Sequence, residues 1–135
     1  MTSNNKNKKM KRETADKLLE GVKERIYKVN HNPSYCYSIT EAKVFGSYVN
    51  SDKDMLSDLD IAIRLEPKYG RDSQEFRDKR EECLSMDYLI YYDWPRQDVL
   101  RFIRNRHPYI SVHVLGWSEE EDDIINGDRT LELTV

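Results

Sequence analysis

Asp58-Leu59-Asp60-Ile61-Ala62-Ile63-Arg64-Leu65 alternates side-chain character along most of its length. On a strand, residues two apart point to one face. Asp58 and Asp60 therefore project together, while Leu59, Ile61, Ile63 and Leu65 turn toward a core. Paired carboxylates repel and raise each other's pKa unless something positive lies between them. A face meant only for water is better served by Thr, Lys or mixed charges. Magnesium resolves the conflict, because it takes oxygen ligands and bridges to substrate phosphates.

Working outward, the next apolar strand upstream is Ser38 to Phe45, and it ends in Val44-Phe45 followed by Gly46-Ser47. Glycine lets backbone approach a phosphate closely and adopt conformations closed to other residues. A Gly-Ser turn alone says little. After a strand, and shortly before an Asp pair on the next strand, it says more. Downstream, Met86 to Tyr92 reads as a strand rich in Tyr and Ile, with Asp87 near its start. If it lies beside Asp58 to Leu65, Asp87 joins the carboxylate pair. Three acids then suffice for two ions about 3.5–4 Å apart, the arrangement that clamps an in-line phosphoryl displacement. The acidic run from Asp52 does not fit a calcium loop: Leu56, Ser57 and Ile63 stand where a ligand, the glycine and the bidentate acid belong.

The rest of the pattern supplies a frame. Leu18, Val22 and Ile26 recur every four residues and predict a helix over Thr14 to Val29, broken at Asn32-Pro33. Ser73 to Leu84 reads as a charged surface helix with a narrow apolar stripe, including Phe76 and Cys83. Pro95 suits the first turn of a helix continuing through Val99, Phe102 and Ile103, and Ile110 to Leu115 reads as a final strand. Gly46 to Ser57 has room for a turn or two of helix at most. The order is α, β, β, α, β, α, β.

Composition bounds the class. The chain has 135 residues, one domain's worth, with 22 Lys and Arg against 25 Asp and Glu. A net charge of −3 lacks the basic excess usual in nucleic-acid binders. No apolar run approaches membrane-spanning length. The polar stretch Met1 to Arg12 lacks the apolar run of a secretion signal, and Cys36 and Cys83 show no metal-ligand spacing. These features fit two reduced thiols in a cytoplasmic protein. His31, His107 and His113 read as structural or surface residues. Tyr88, Tyr91 and Tyr92 read as sheet packing, and Arg101, Arg104 and Arg106 as a solvated face open to an acidic partner.

Gly46-Ser47, ten intervening residues, then Asp58-Leu59-Asp60 resembles the signature of the DNA-polymerase-beta-like nucleotidyltransferase superfamily, nearest in length to its minimal branch. The resemblance runs over about residues 14 to 115, with Met86-Asp87-Tyr88-Leu89-Ile90 similar to the family's later acid-bearing strand. It implies a small α/β (α+β) fold, a mixed sheet with helices mainly on one face. It also implies transfer of a nucleoside monophosphate from an NTP, ATP foremost, to a hydroxyl of a protein or RNA acceptor. Gly46 and Ser47 would hold the triphosphate, and Asp58, Asp60 and Asp87 would hold two magnesium ions and carry catalysis. Minimal members often act as antitoxins paired with HEPN-type toxins.

Where many such members carry Arg-Gly, this chain has Asn50-Ser51. That departure keeps a second reading in play, a non-catalytic module that binds a partner protein. Homo-oligomerisation is left open, and no membrane partner is expected. The expected division is a basic flexible tail at 1–12, the nucleotidyltransferase domain at 13–116 and an acidic, solvated extension at 117–135, where Thr130 to Val135 could add an edge strand.

Overall fold

A computed structural model describes residues 9–84 and 94–135. In chain order the elements are β1 (Met10–Lys11), α1 (Arg12–His31), β2 (Tyr37–Phe45), α2 (Ser47–Asn50), β3 (Met55–Leu56), β4 (Leu59–Pro67), α3 (Gln74–Leu84), α4 (Trp94–Arg104), β5 (Ile110–Val114), α5 (Glu119–Asn126) and β6 (Leu131–Glu132). The main sheet runs β5-β4-β2-β6, and β1 with β3 makes a separate two-stranded ribbon. β2 is antiparallel to β4 and to β6, whereas β4 and β5 are parallel. A parallel pair needs a long crossover, and α3 and α4 lie in the segment that makes it.

One face of the sheet carries the core. Leu59, Ile61 and Ile63 of β4 and Ile110 of β5 are buried in one cluster with Leu19, Val22 and Ile26 of α1 and Val99 and Ile103 of α4. Each such aliphatic side chain contributes about 1.5–3 kcal/mol by leaving water. On β2 both Tyr37 and Ile39, and then Ala42 and Val44, are buried. Strict alternation cannot put odd and even positions on one face. A bulge does: Ile39 pairs with Leu65 but Glu41 pairs with Arg64, so one extra residue resets the phase.

The second face is covered by α5. Ile125 packs with Ala62, Leu115 and Phe45 in a small apolar cluster. The buried Lys43 ammonium donates to Asn126 Oδ1 at 2.6 Å and lies 3.3 Å from Glu41 Oε2. The mixed sheet, with α1 and α4 on one face, agrees with the expected fold class.

Two expectations change. The acidic run Glu119 to Asp123 is not a solvated tail but the start of α5. Ser118 caps it, accepting from the Glu121 amide at 3.2 Å, and acids in a first helical turn are favoured by the helix dipole. At the other end, Met10 is buried and pairs with Leu56, so residues 10–12 belong to the fold rather than to a tail. β6 takes the edge position beside β2, as the Leu/Glu alternation suggested.

Candidate active site

β2 ends at Phe45, and the chain turns at Gly46 with φ +77° and ψ −154°. That region strongly favours glycine. The turn is also crowded: a Cβ on Gly46 would lie 2.5 Å from Asp60 Oδ2. Two independent constraints thus put glycine next to the aspartate. Ser47 opens α2, whose Val49 and Asn50 amides close back on the Gly46 carbonyl at 3.1 and 3.0 Å.

The loop after this turn is held from α1. The Arg12 guanidinium donates to the carbonyls of Tyr48 and Ser51, both at 2.8 Å, and of Lys53 at 3.0 Å. The Arg12 amide donates to Asp54 O at 2.7 Å. From the other side, Asn50 donates to Gly46 O at 3.1 Å. The Asn50 side chain therefore serves to tie the loop down.

Asp58 lies just before β4 and Asp60 on it, both half-buried. Phe45, Asp60 and Ser111 stand side by side across β2, β4 and β5, so Asp60 faces the second side of the sheet. Burial pushes the Asp60 carboxyl up, the neighbouring His113 imidazole pulls it down when charged, and the Asp58 charge pushes it up again. No hydrogen bond reaches Asp60 among the described residues; His113 Nε2 stands 4.0 Å from its Oδ1. A partly desolvated carboxylate lacking donors, beside a second carboxylate, suits a hard cation.

His113 is a member of this site that the sequence reading missed. Its Nδ1 donates to Glu121 Oε1 of α5 at 2.7 Å, and its Nε2 shares a hydrogen bond with the Ser111 hydroxyl at 3.1 Å. Its ring packs edge-on against Phe45 with centroids 5.1 Å apart. The alternation in Ile110-Ser111-Val112-His113-Val114 could have put Ser111 and His113 on one face. The Ser118-to-Glu121 spacing, a capping-box pattern, could have announced α5.

Asp87 and the 86–92 strand lie outside the described residues, as do Tyr88, Tyr91 and Tyr92. At the level of Asp60, β4 is flanked by β2 on one side and β5 on the other. β5 presents Ser111 and His113 there. Among the described residues no group of three or more His, Cys, Asp or Glu side chains is arranged to hold a metal. Arg64 shares the face of Asp60 but is engaged by Glu41 at 3.1 Å. Asp52, Lys53 and Asp54 are exposed.

On the β5 side of Asp58 a cleft of about 420 Å³ opens between the sheet and α4, with Arg101 and Arg104 on its wall. Of the two aspartates, Asp58 lines this cleft.

Comparison with curated proteins and with solved structures finds no match. The family model for the nucleotidyltransferase domain matches residues 16–120. That span holds the Gly46 turn, both aspartates, the cleft and His113, and it ends as α5 begins. The chain belongs to the nucleotidyltransferase domain family.

Proposed function

We propose that this domain transfers a nucleoside monophosphate from an NTP to an acceptor hydroxyl, with Gly46 and Ser47 seating the triphosphate and Asp58 and Asp60 as metal ligands. The observation that carries the reading is the close approach of Asp60 to the Gly46 turn, where any Cβ on residue 46 would come within 2.5 Å of Asp60 Oδ2. Asp87 is the third ligand in the proposal. Bound magnesium would lower the pKa of the attacking hydroxyl and neutralise charge on the departing pyrophosphate. The chain's own contribution is to hold the turn rigid, through Arg12 and Asn50, and to keep Asp60 partly out of water.

Calorimetry of magnesium-dependent ATP binding, with Asp60→Asn as control, tests the first step. Label transfer from ATP should occur in wild type and vanish in Asp58→Ala, Asp60→Ala and Asp87→Ala. Transfer that persists in Asp87→Ala removes Asp87 from the site.

The second reading is a non-catalytic module that docks a partner protein. The structural use of Asn50 in place of an arginine favours it. In a cytoplasmic antitoxin the partner would be a HEPN-type toxin. Co-purification with such a toxin, together with no NTP binding in magnesium, would establish the module.

A further inference from the structure

We propose that Asp60 and His113 form an oxygen–nitrogen chelate for a divalent transition cation, which binds there in preference to magnesium. The inference rests on the transfer site described above and names one of its ions.

The two side chains face each other as acceptors. His113 Nε2 stands 4.0 Å from Asp60 Oδ1, too far for a hydrogen bond. One cation about 2.0–2.2 Å from each atom fills a gap of that size. Nδ1 donates to Glu121 Oε1 at 2.7 Å, so the ring proton is on that nitrogen and Nε2 carries a lone pair. The Ser111 hydroxyl donates to that lone pair at 3.1 Å, and a cation would take its place.

The surroundings of the ring are those of a metal ligand. Imidazoles that hold metals almost always donate their other nitrogen to a carboxylate, a carbonyl or water, which fixes the ring and makes the free nitrogen more basic. Glu121 does this from α5, while Phe45 packs edge-on against the ring from the end of β2. His113 pairs with Ala62 and Asp60 with Ser111, so the two ligands lie diagonally across the β4–β5 pair.

The donor set selects the ion. Magnesium takes oxygen ligands and gives up its water reluctantly, whereas imidazole nitrogen suits transition ions. The other oxygen of Asp60, Oδ2, faces the Gly46 turn. A cation on Oδ1 therefore lies one carboxylate away from the turn proposed to seat the triphosphate. Among the described residues no larger group of His, Cys, Asp or Glu completes a cage. Two protein donors leave the remaining positions to phosphate oxygens and water, as in other sites where the ion bridges to a substrate.

The test uses the full chain at one fixed pH, with Mn2+ as a paramagnetic probe. The EPR signal of free Mn2+ gives the affinity, and electron spin-echo modulation by nitrogen reports an imidazole on the bound ion. Wild type should show the nitrogen modulation and release Mn2+ to magnesium only at large excess. His113→Phe keeps a ring against Phe45 and removes both nitrogens. It should lose the modulation and at least tenfold in Mn2+ affinity, with magnesium affinity within about twofold of wild type. Glu121→Gln, at an exposed position, still offers Nδ1 an acceptor and should keep the modulation with a smaller loss. Ser111→Ala removes the competing hydroxyl and should bind Mn2+ at least as tightly as wild type. Mn2+ bound to wild type without nitrogen modulation, or equally well by His113→Phe, overturns the proposal and leaves the transfer reading standing. Weaker binding in Ser111→Ala also overturns it, because the hydroxyl rather than the ring would then be the donor. A wild-type chain that binds neither ion, or a chain that binds both as well after Asp60→Asn, sinks the metal site itself and the transfer reading with it.

Discussion

Asn50 and Arg129 hold each other in both directions across 79 residues of sequence: the Asn50 amide donates to Arg129 O at 3.0 Å, and the Arg129 amide donates to Asn50 Oδ1 at 3.1 Å. The same Asn50 amide also reaches Gly46 O. One side chain thus fastens the glycine turn to the C-terminal segment that carries β6.

Replacing Asn50 by Ala removes these bonds and leaves the Arg129 amide without its partner. At roughly 0.5–1.5 kcal/mol per net hydrogen bond, the variant should lose about 1–2 kcal/mol, a fall of roughly 5 °C in Tm for a domain of this size. Asn50→Asp, which can still accept from Arg129 but not donate, should fall between the two. Thermal melts of the three proteins decide it; equal Tm values would show the clasp to be energetically idle.

Gly46→Ala should be the most damaging small substitution in the site. It places a methyl against Asp60 Oδ2 and forces a side chain into positive φ. Backbone strain of this kind costs about 1–3 kcal/mol, and ATP affinity should fall at least tenfold. A double-mutant cycle with Asp60→Ala separates the two causes: removing the carboxylate should relieve the clash and leave the backbone strain.

The raised pKa of Asp60 gives a pH signature. A carboxyl whose folded pKa exceeds its unfolded value favours folding fully below the unfolded pKa, near 3.9. That contribution is lost as pH rises through the folded pKa, leaving a penalty at neutral pH. Asp60→Asn should therefore be more stable than wild type at pH 7 without magnesium, with the gap closing toward pH 4. Magnesium should raise the Tm of wild type and leave that of Asp60→Asn unchanged. Denaturant melts across pH 4–8, with and without the ion, provide the check.

Arg12 should act on the nucleotide without touching it. Its guanidinium holds the carbonyls of Tyr48, Ser51 and Lys53. Arg12→Ala should free the 46–54 loop, seen as lost amide hydrogen-exchange protection there. ATP affinity should weaken several-fold while the main sheet stays protected. Arg12→Lys, a compact charge without the planar fork, should restore little.

Local rules in the sequence were enough to identify α1, β2, β4, α4 and β5, and to mark Gly46 as special. Those features depend on periods of 2 and 3.6 residues and on the backbone freedom of one glycine, which neighbouring residues set by themselves. The bulge at Thr40, the helix in the acidic run after Trp117, and the use of Asn50 as a clasp needed the folded chain. So did the identity of the strand beside Asp60. That strand is β5, with Ser111 and His113 on the same face and Glu121 reaching in from α5. Which strands become neighbours depends on which apolar faces bury together over long sequence separations. A local alternation of apolar and polar residues shows that a strand has a buried side, but not which strand will lie next to it.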